Sequence, residues 1–254
     1  MPYDDSFLAE PVPTPSVDPA TTLDYTHFTV AMNTTRALAW WVAWNIDGTI
    51  LFPEVPRESD FYPDDRLPMD QQTTEAVYAD NDLDRGHLAR RADLLWGTYA
   101  QAVAANHDSF CFTNIAPQRD TFNQASRGGV WGELENAVLA LEGLTDRRLS
   151  VFGGPVLSKD DPSYRDLVQL PQSFWKIVIY RVDGQLRYRA FLLTQDLDGL
   201  DFLGEFATYQ VSVADLTDRT GIDFAGLTDL VEDTGTPAGT APPRRIDTLA
   251  DLDL

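Results

Sequence analysis

Two near-continuous apolar runs, Phe174 to Val182 and Leu186 to Leu193, are separated by Asp183-Gly184. Asp-Gly between such runs is a strong signal for a tight hairpin, because the favoured turn needs positive φ at both central residues. The chain is thereby committed to an antiparallel sheet. His27 to Met32 and Ala37 to Ile46 read as a second strand pair turning at Asn33-Thr-Thr-Arg36, and Leu149 to Phe152 as a further strand. Leu94 to Asn106 has helical spacing, and Phe110 to Ile115 reads as a short apolar strand. Val130 to Leu141 reads as an amphipathic helix with Trp131, Leu134, Val138 and Leu141 on one face. Strands and helices mixed without βαβ regularity indicate an α+β fold.

Residues 1–22 are acidic and carry five prolines, so they are expected to form a disordered arm. Residues 23–233 then make one domain, and residues 234–254 a C-terminal tail that is disordered or docked by its few leucines. With 254 residues, 43% of them hydrophobic, the chain can bury a real core. No run approaches the roughly 18 apolar residues of a membrane helix, so no membrane partner is expected. The N-terminus has neither a basic region nor an apolar segment of the secretory kind. The expected location is cytoplasmic, or outside the cell by a route without an N-terminal signal. The single cysteine, Cys111, excludes an internal disulfide and a multi-cysteine zinc site, and its place between two phenylalanines suggests a buried thiol.

Charge sets a further limit. Forty acidic residues against 19 basic ones leave a formal net charge of −21, and the only lysines are Lys159 and Lys176. That balance argues against general affinity for polyanions. The excess is uneven, however: residues 1–84 carry net −13, residues 128–254 net −10, and residues 85–127 net +2. Solubility, adaptation to salt or genome composition accounts for the excess of aspartate.

The chemistry-bearing motifs fall in or beside the positive segment. In Asp84-Arg85-Gly86-His87, the histidine has an ordinary pKa near neutrality and suits general-base work, although an isolated histidine of this kind more often packs or caps. Thr113-Asn114-Ile115-Ala116-Pro117-Gln118 follows, then Phe122-Asn123-Gln124, then Trp131-Gly132-Glu133-Leu134-Glu135. Asparagine and glutamate oxygens near a histidine make a hard-donor site suited to Mg²⁺ with most of its waters kept. Taken alone, Asn123 reads as a helix cap and Glu135 as a solvated charge.

In that order, DRGH, TNIAPQ, FNQ and W-x-x-LE resemble the DNA/RNA non-specific endonuclease family, the endonuclease G-like ββα-metal finger nucleases. HFTVAMN and AWNIDG look like that family's opening hairpin, and PRESDFYPDD like its arginine-bearing segment. VFGGPVL, FWKIVIY and FLLTQ match its later strands, so the likeness runs from about Asp24 to about Phe224. It implies a mixed α/β single domain with a central antiparallel sheet and an embedded ββα-metal finger. It also implies Mg²⁺-dependent, sequence-non-specific hydrolysis of DNA and RNA, with Mn²⁺ as the alternative metal. His87 would take a proton from the attacking water, Asn123 would ligate the metal, and Glu135 would hold one of its waters. Arg57 and Arg85 would contact the scissile phosphate and Asn114 would orient the site. For Arg57 the competing reading is an ion pair with Glu58 or Asp60. An inhibitor protein and a homodimer are the partners the likeness brings with it.

Two departures stand out. The asparagine and glutamate are about eight residues apart in most of the family but twelve here, with Ala125 to Gly129 inserted, which makes Glu133 a competitor for the water-holding role. Many members also carry an arginine four residues beyond the glutamate, where Leu139 stands, and Arg127 is the candidate to supply that charge and bind substrate. Two other readings remain open. One is a non-catalytic nucleic-acid- or partner-binding module on the same fold. The other is a phosphodiesterase of small nucleotides, which the acidity favours.

Overall fold

The computed structural model describes residues 1–81, 83–119, 144–194, 207–233 and 244–246. Its strands are β1 (Thr21–Tyr25), β2 (Phe28–Asn33), β3 (Leu38–Asp47), β4 (Leu83–His87), β5 (Ile115–Arg119), β6 (Leu144–Val156), β7 (Ser163–Tyr164), β8 (Val168–Gln169), β9 (Ser173–Val182), β10 (Gln185–Thr194), β11 (Ala207–Val211), β12 (Val231–Glu232) and β13 (Arg244–Ile246). The helices are α1 (Glu75–Tyr78), α2 (Tyr99–Ser109) and α3 (Val213–Thr220). Nine strands form the main sheet in the order β1-β2-β3-β6-β9-β10-β11-β13, with β12 added parallel to β10. All other pairings in it are antiparallel. The α+β expectation with a central antiparallel sheet therefore holds. No helix among the described residues is long and apolar enough to cross a membrane.

The β9–β10 hairpin turns at Asp183 and Gly184, both at positive φ (51° and 78°), as the Asp-Gly signal requires. These strands are apolar on both faces because both faces are covered. Phe174, Val178 and Tyr180 point into one cluster, and Trp175, Ile177 and Ile179 into the other. The first cluster also takes Leu83, Leu88, Phe112 and Ile115, and so seats the β4–β5 hairpin on that face. β3 and β6 are neighbours in the sheet, with Val42 opposite Gly153, although the described residues 48–119 between them in sequence lie outside it.

The opposite face is covered in part by the N-terminal segment. Residues 1–22, expected to be disordered, pack there instead. Leu8 and Val12 are buried, at 5% and 0% exposure, in the second cluster. The Asp4 backbone donates to Asn45 Oδ1 (2.7 Å), Asn45 Nδ2 returns a bond to Asp4 O (3.2 Å), and Arg181 donates to Leu8 O (2.6 Å). A few well-spaced anchors onto a preformed apolar face outweigh the segment's prolines and acids. In the expected tail, Ile246 is buried and β13 pairs with β11.

Three local expectations also change. The strand expected at Phe110 to Ile115 begins only at Ile115, because Phe112–Asn114 closes a 3-10 turn. The helix expected from Leu94 starts at Tyr99, behind Gly97 at φ 85° and a capping box of Thr98 and Gln101. His27 sits in the turn before β2 at φ 70° rather than in the strand. The helix expected over Val130 to Leu141 lies outside the described residues.

The docked N-terminus can be tested directly. Leu8→Ala should cost about 2–5 kcal/mol, the usual range for a buried leucine. Denaturant unfolding of the full chain is the measurement, and an unchanged midpoint would mean the segment adds nothing to the core.

Candidate active site

β4 and β5 pair in a small sheet of their own, with Arg85 opposite Pro117, Gly86 opposite Ala116 and His87 opposite Ile115. Strand alternation sends Arg85 and His87, two residues apart, to one side of the hairpin. On the other side a β-carbon at Gly86 would overlap the Gln118 side chain, so the glycine is required by close approach. Gln118 is fully buried, and among the described residues neither atom of its amide has a hydrogen-bond partner.

The segment after β4 is fixed by Asn114. Its Oδ1 accepts from the Ala89 backbone (2.9 Å), and its Nδ2 donates to Ala89 O and Ser109 O (3.0 Å each). Leu88 N donates to Asn114 O (2.9 Å). One buried amide thus joins the exit of β4 to the end of α2 and the entry to β5.

The His87 ring lies edge-on to Phe110 (centroids 5.1 Å apart, planes at 84°) and tilted against Phe61 (5.7 Å). Its Nε2 is buried and has no hydrogen-bond partner among the described residues. Burial pushes the His87 pKa down from 6.5 to about 3, and the positive charges of Arg57 and Arg91 add to that shift. The imidazole is therefore neutral, with a lone pair available, throughout the physiological range. Since the folded value is the lower one, stability from this group falls as pH drops from 6.5 toward about 3.

Arg57 is exposed, and its guanidinium carbon lies 5.0 Å from the Phe110 centroid. Among the described residues no ion pair joins it to Glu58 or Asp60, and Glu58 accepts from Asn106 Nδ2 (3.3 Å). Arg91 binds the Val55 carbonyl and Asn106 Oδ1. Tyr62 bonds the backbones of Phe110 and Phe112 (3.3 and 2.9 Å). The stretch carrying Arg57 and Phe61 is thus tied down at both ends, beside the histidine.

Arg85 points its guanidinium at the Phe61 and Tyr78 rings, 5.5 Å from each centroid, and forks onto the Glu75 carboxylate. His27 and His107 stand apart from this group. His27 Nδ1 bonds Leu94 O (2.9 Å) and the ring stacks on Trp96, while His107 bonds the Tyr62 hydroxyl (3.0 Å). Of the residues singled out from sequence, His87, Arg85, Arg57 and Asn114 gather around one hairpin. Asn123, Arg127, Glu133 and Glu135 lie outside the described residues. Arg91 and Glu75 were not foreseen. The Arg90-Arg91 doublet within the positive segment was a visible signal, but its target carbonyl at Val55 was not.

This constellation sits in a chain that matches the DNA/RNA non-specific endonuclease family over residues 7–230. The chain belongs to that family. It is 33% identical over 251 residues to the Sinorhizobium fredii protein y4fB, covering 91% of this chain and 37% of that one. It is 28% identical over 204 residues to a Nostoc nuclease, covering 78% and 70%. It spans only about a third of the first relative's length. The fold is that of EndoG in an EndoG/EndoGI complex, with a TM-score of 0.68 and 19% identity over 89% of this chain and 94% of that one.

The three histidines make the electrostatic argument measurable by NMR. The His87 ring should remain neutral at pH 5, and Arg57→Ala or Arg91→Ala should move its titration toward higher pH. Titration of wild-type His87 near 6.5 would contradict the geometry described.

Proposed function

We propose that the protein is a divalent-metal-dependent endonuclease that hydrolyses DNA and RNA phosphodiester bonds with little sequence preference. The observation that carries this reading is a neutral, half-buried imidazole whose Nε2 is buried and has no hydrogen-bond partner among the described residues, set among arginines whose natural partner is an anion. Phosphates are identical along a nucleic acid, so recognition through guanidiniums conveys no sequence information.

His87 takes the proton of the attacking water. Arg57 and Arg85 bind the scissile phosphate, and an anion arriving beside Arg57 offsets the positive charge that depresses His87, so basicity rises when substrate is in place. Asn114 contributes by holding the backbone after His87 rather than by touching substrate. Arg127 would add a further substrate contact.

Asn123 would hold Mg²⁺, or Mn²⁺, directly, and Glu135 would hold it through a water. Among the described residues no group of three or more His, Cys, Asp or Glu could cage a metal. The buried His87 Nε2, without a hydrogen-bond partner among the described residues, is a neutral group of the kind that a hydrated cation's waters satisfy, which suits an ion that keeps most of its water. Once bound, the metal supplies Lewis-acid stabilisation of charge on the phosphorane and the leaving oxygen. A protein inhibitor, by analogy with the EndoG/EndoGI complex, and a homodimer belong to the same proposal.

His87→Ala should lower cleavage of plasmid DNA and RNA by about 10²–10⁴-fold while the fold is kept. Near wild-type turnover would remove His87 from the mechanism. Parallel assays on a dinucleotide ester, with Mg²⁺ and then EDTA, separate an endonuclease from a small-nucleotide phosphodiesterase and from a binding module. Activity titrated against Mg²⁺ should fall more for Asn123→Ala than for Glu135→Ala, whose loss should be about 10–100-fold. A larger loss for Glu133→Ala than for Glu135→Ala would reassign the water-holding acid.

A further inference from the structure

We propose that Glu75 sets how tightly the site takes its substrate, because its carboxylate occupies the edge of Arg85 that a phosphate would use. This rests on the reading of Arg85 as a phosphate contact.

Arg85 Nε donates to Glu75 Oε2 (3.0 Å), and a terminal nitrogen donates to Oε1. That is a two-bond fork along one edge of a planar cation. Carboxylate and phosphate both present paired oxygens to such an edge, so the two compete for it. The Phe61 and Tyr78 rings cover the guanidinium, leaving its in-plane N–H groups as the approach for an anion. Exposure makes displacement feasible. The Glu75 side chain is 59% exposed on the short helix α1, and the Arg85 side chain is 29% exposed. An ion pair this open is weak, so a phosphate carried in by other contacts can replace the carboxylate.

Glu75 therefore has two effects. In the free protein it keeps Arg85 extended between its rings. On binding it must leave, and its departure subtracts from affinity. Its removal should tighten binding only while Arg85 is present.

The test uses the full chain carrying His87→Ala, so that the probe is not cleaved, and a short fluorescent single-stranded DNA read by anisotropy at fixed salt and Mg²⁺. Asp70→Asn, an exposed acid on the neighbouring 3-10 turn, controls for the general loss of one negative charge. Glu75→Gln should tighten binding about 2–5-fold beyond that control, the scale of an exposed ion pair, and the gain should vanish when Arg85→Ala is added. A gain no larger than the control's, or one that persists without Arg85, would overturn the competition. Weaker binding by Glu75→Gln would also overturn it and make the carboxylate a prop for Arg85. Should Arg85→Ala alone leave binding unchanged, the phosphate role of Arg85 fails, an outcome separable from the others.

Discussion

The site depends on one buried side-chain amide. Asn114 satisfies both backbone groups of Ala89 and the carbonyl of Ser109, so three segments meet on one residue. Each buried polar group left unpaired would cost about 1–3 kcal/mol, so this junction cannot loosen one bond at a time without penalty. The ring of His87 inherits its position from that junction and from Phe61 and Phe110 on either side.

Electrostatics in the site come from what surrounds it rather than from total charge. A chain of net −21 still places Arg57 and Arg91 near its histidine. Glu58 is turned to Asn106, and Asn106 also receives Arg91. Charge arithmetic by segment put Arg91 in the positive stretch but left Arg57 in an acidic one. It could not show that a neutral asparagine separates an acid from a cation there.

What was legible in the sequence follows the range of the forces involved. The Asp183-Gly184 turn is a local backbone requirement and can be read from two residues. The DRGH hairpin and Asn114 were readable as ordered motifs, although the three bonds Asn114 makes are visible only in the fold. The N-terminal segment was misread because its anchors, Leu8 and Val12, are isolated among prolines and acids, and their partners lie far along the chain. Arg91 and Glu75 escaped for the same reason: each acquires its meaning from a residue brought near by folding, Val55 in one case and Arg85 in the other.

The long departure between β3 and β6 has a consequence for how such a protein can change. Every residue assigned a chemical role, Arg57 through Glu135, lies on a single excursion between two strands that are already neighbours. The scaffold closes its ladder without reference to the length of that excursion. Loop-closure entropy grows slowly with length, about 0.6 kcal/mol per doubling, so a few added residues cost the sheet almost nothing. The roughly four extra residues between Asn123 and Glu135 fit those terms, and the reactive segment can drift in spacing at little cost to the scaffold.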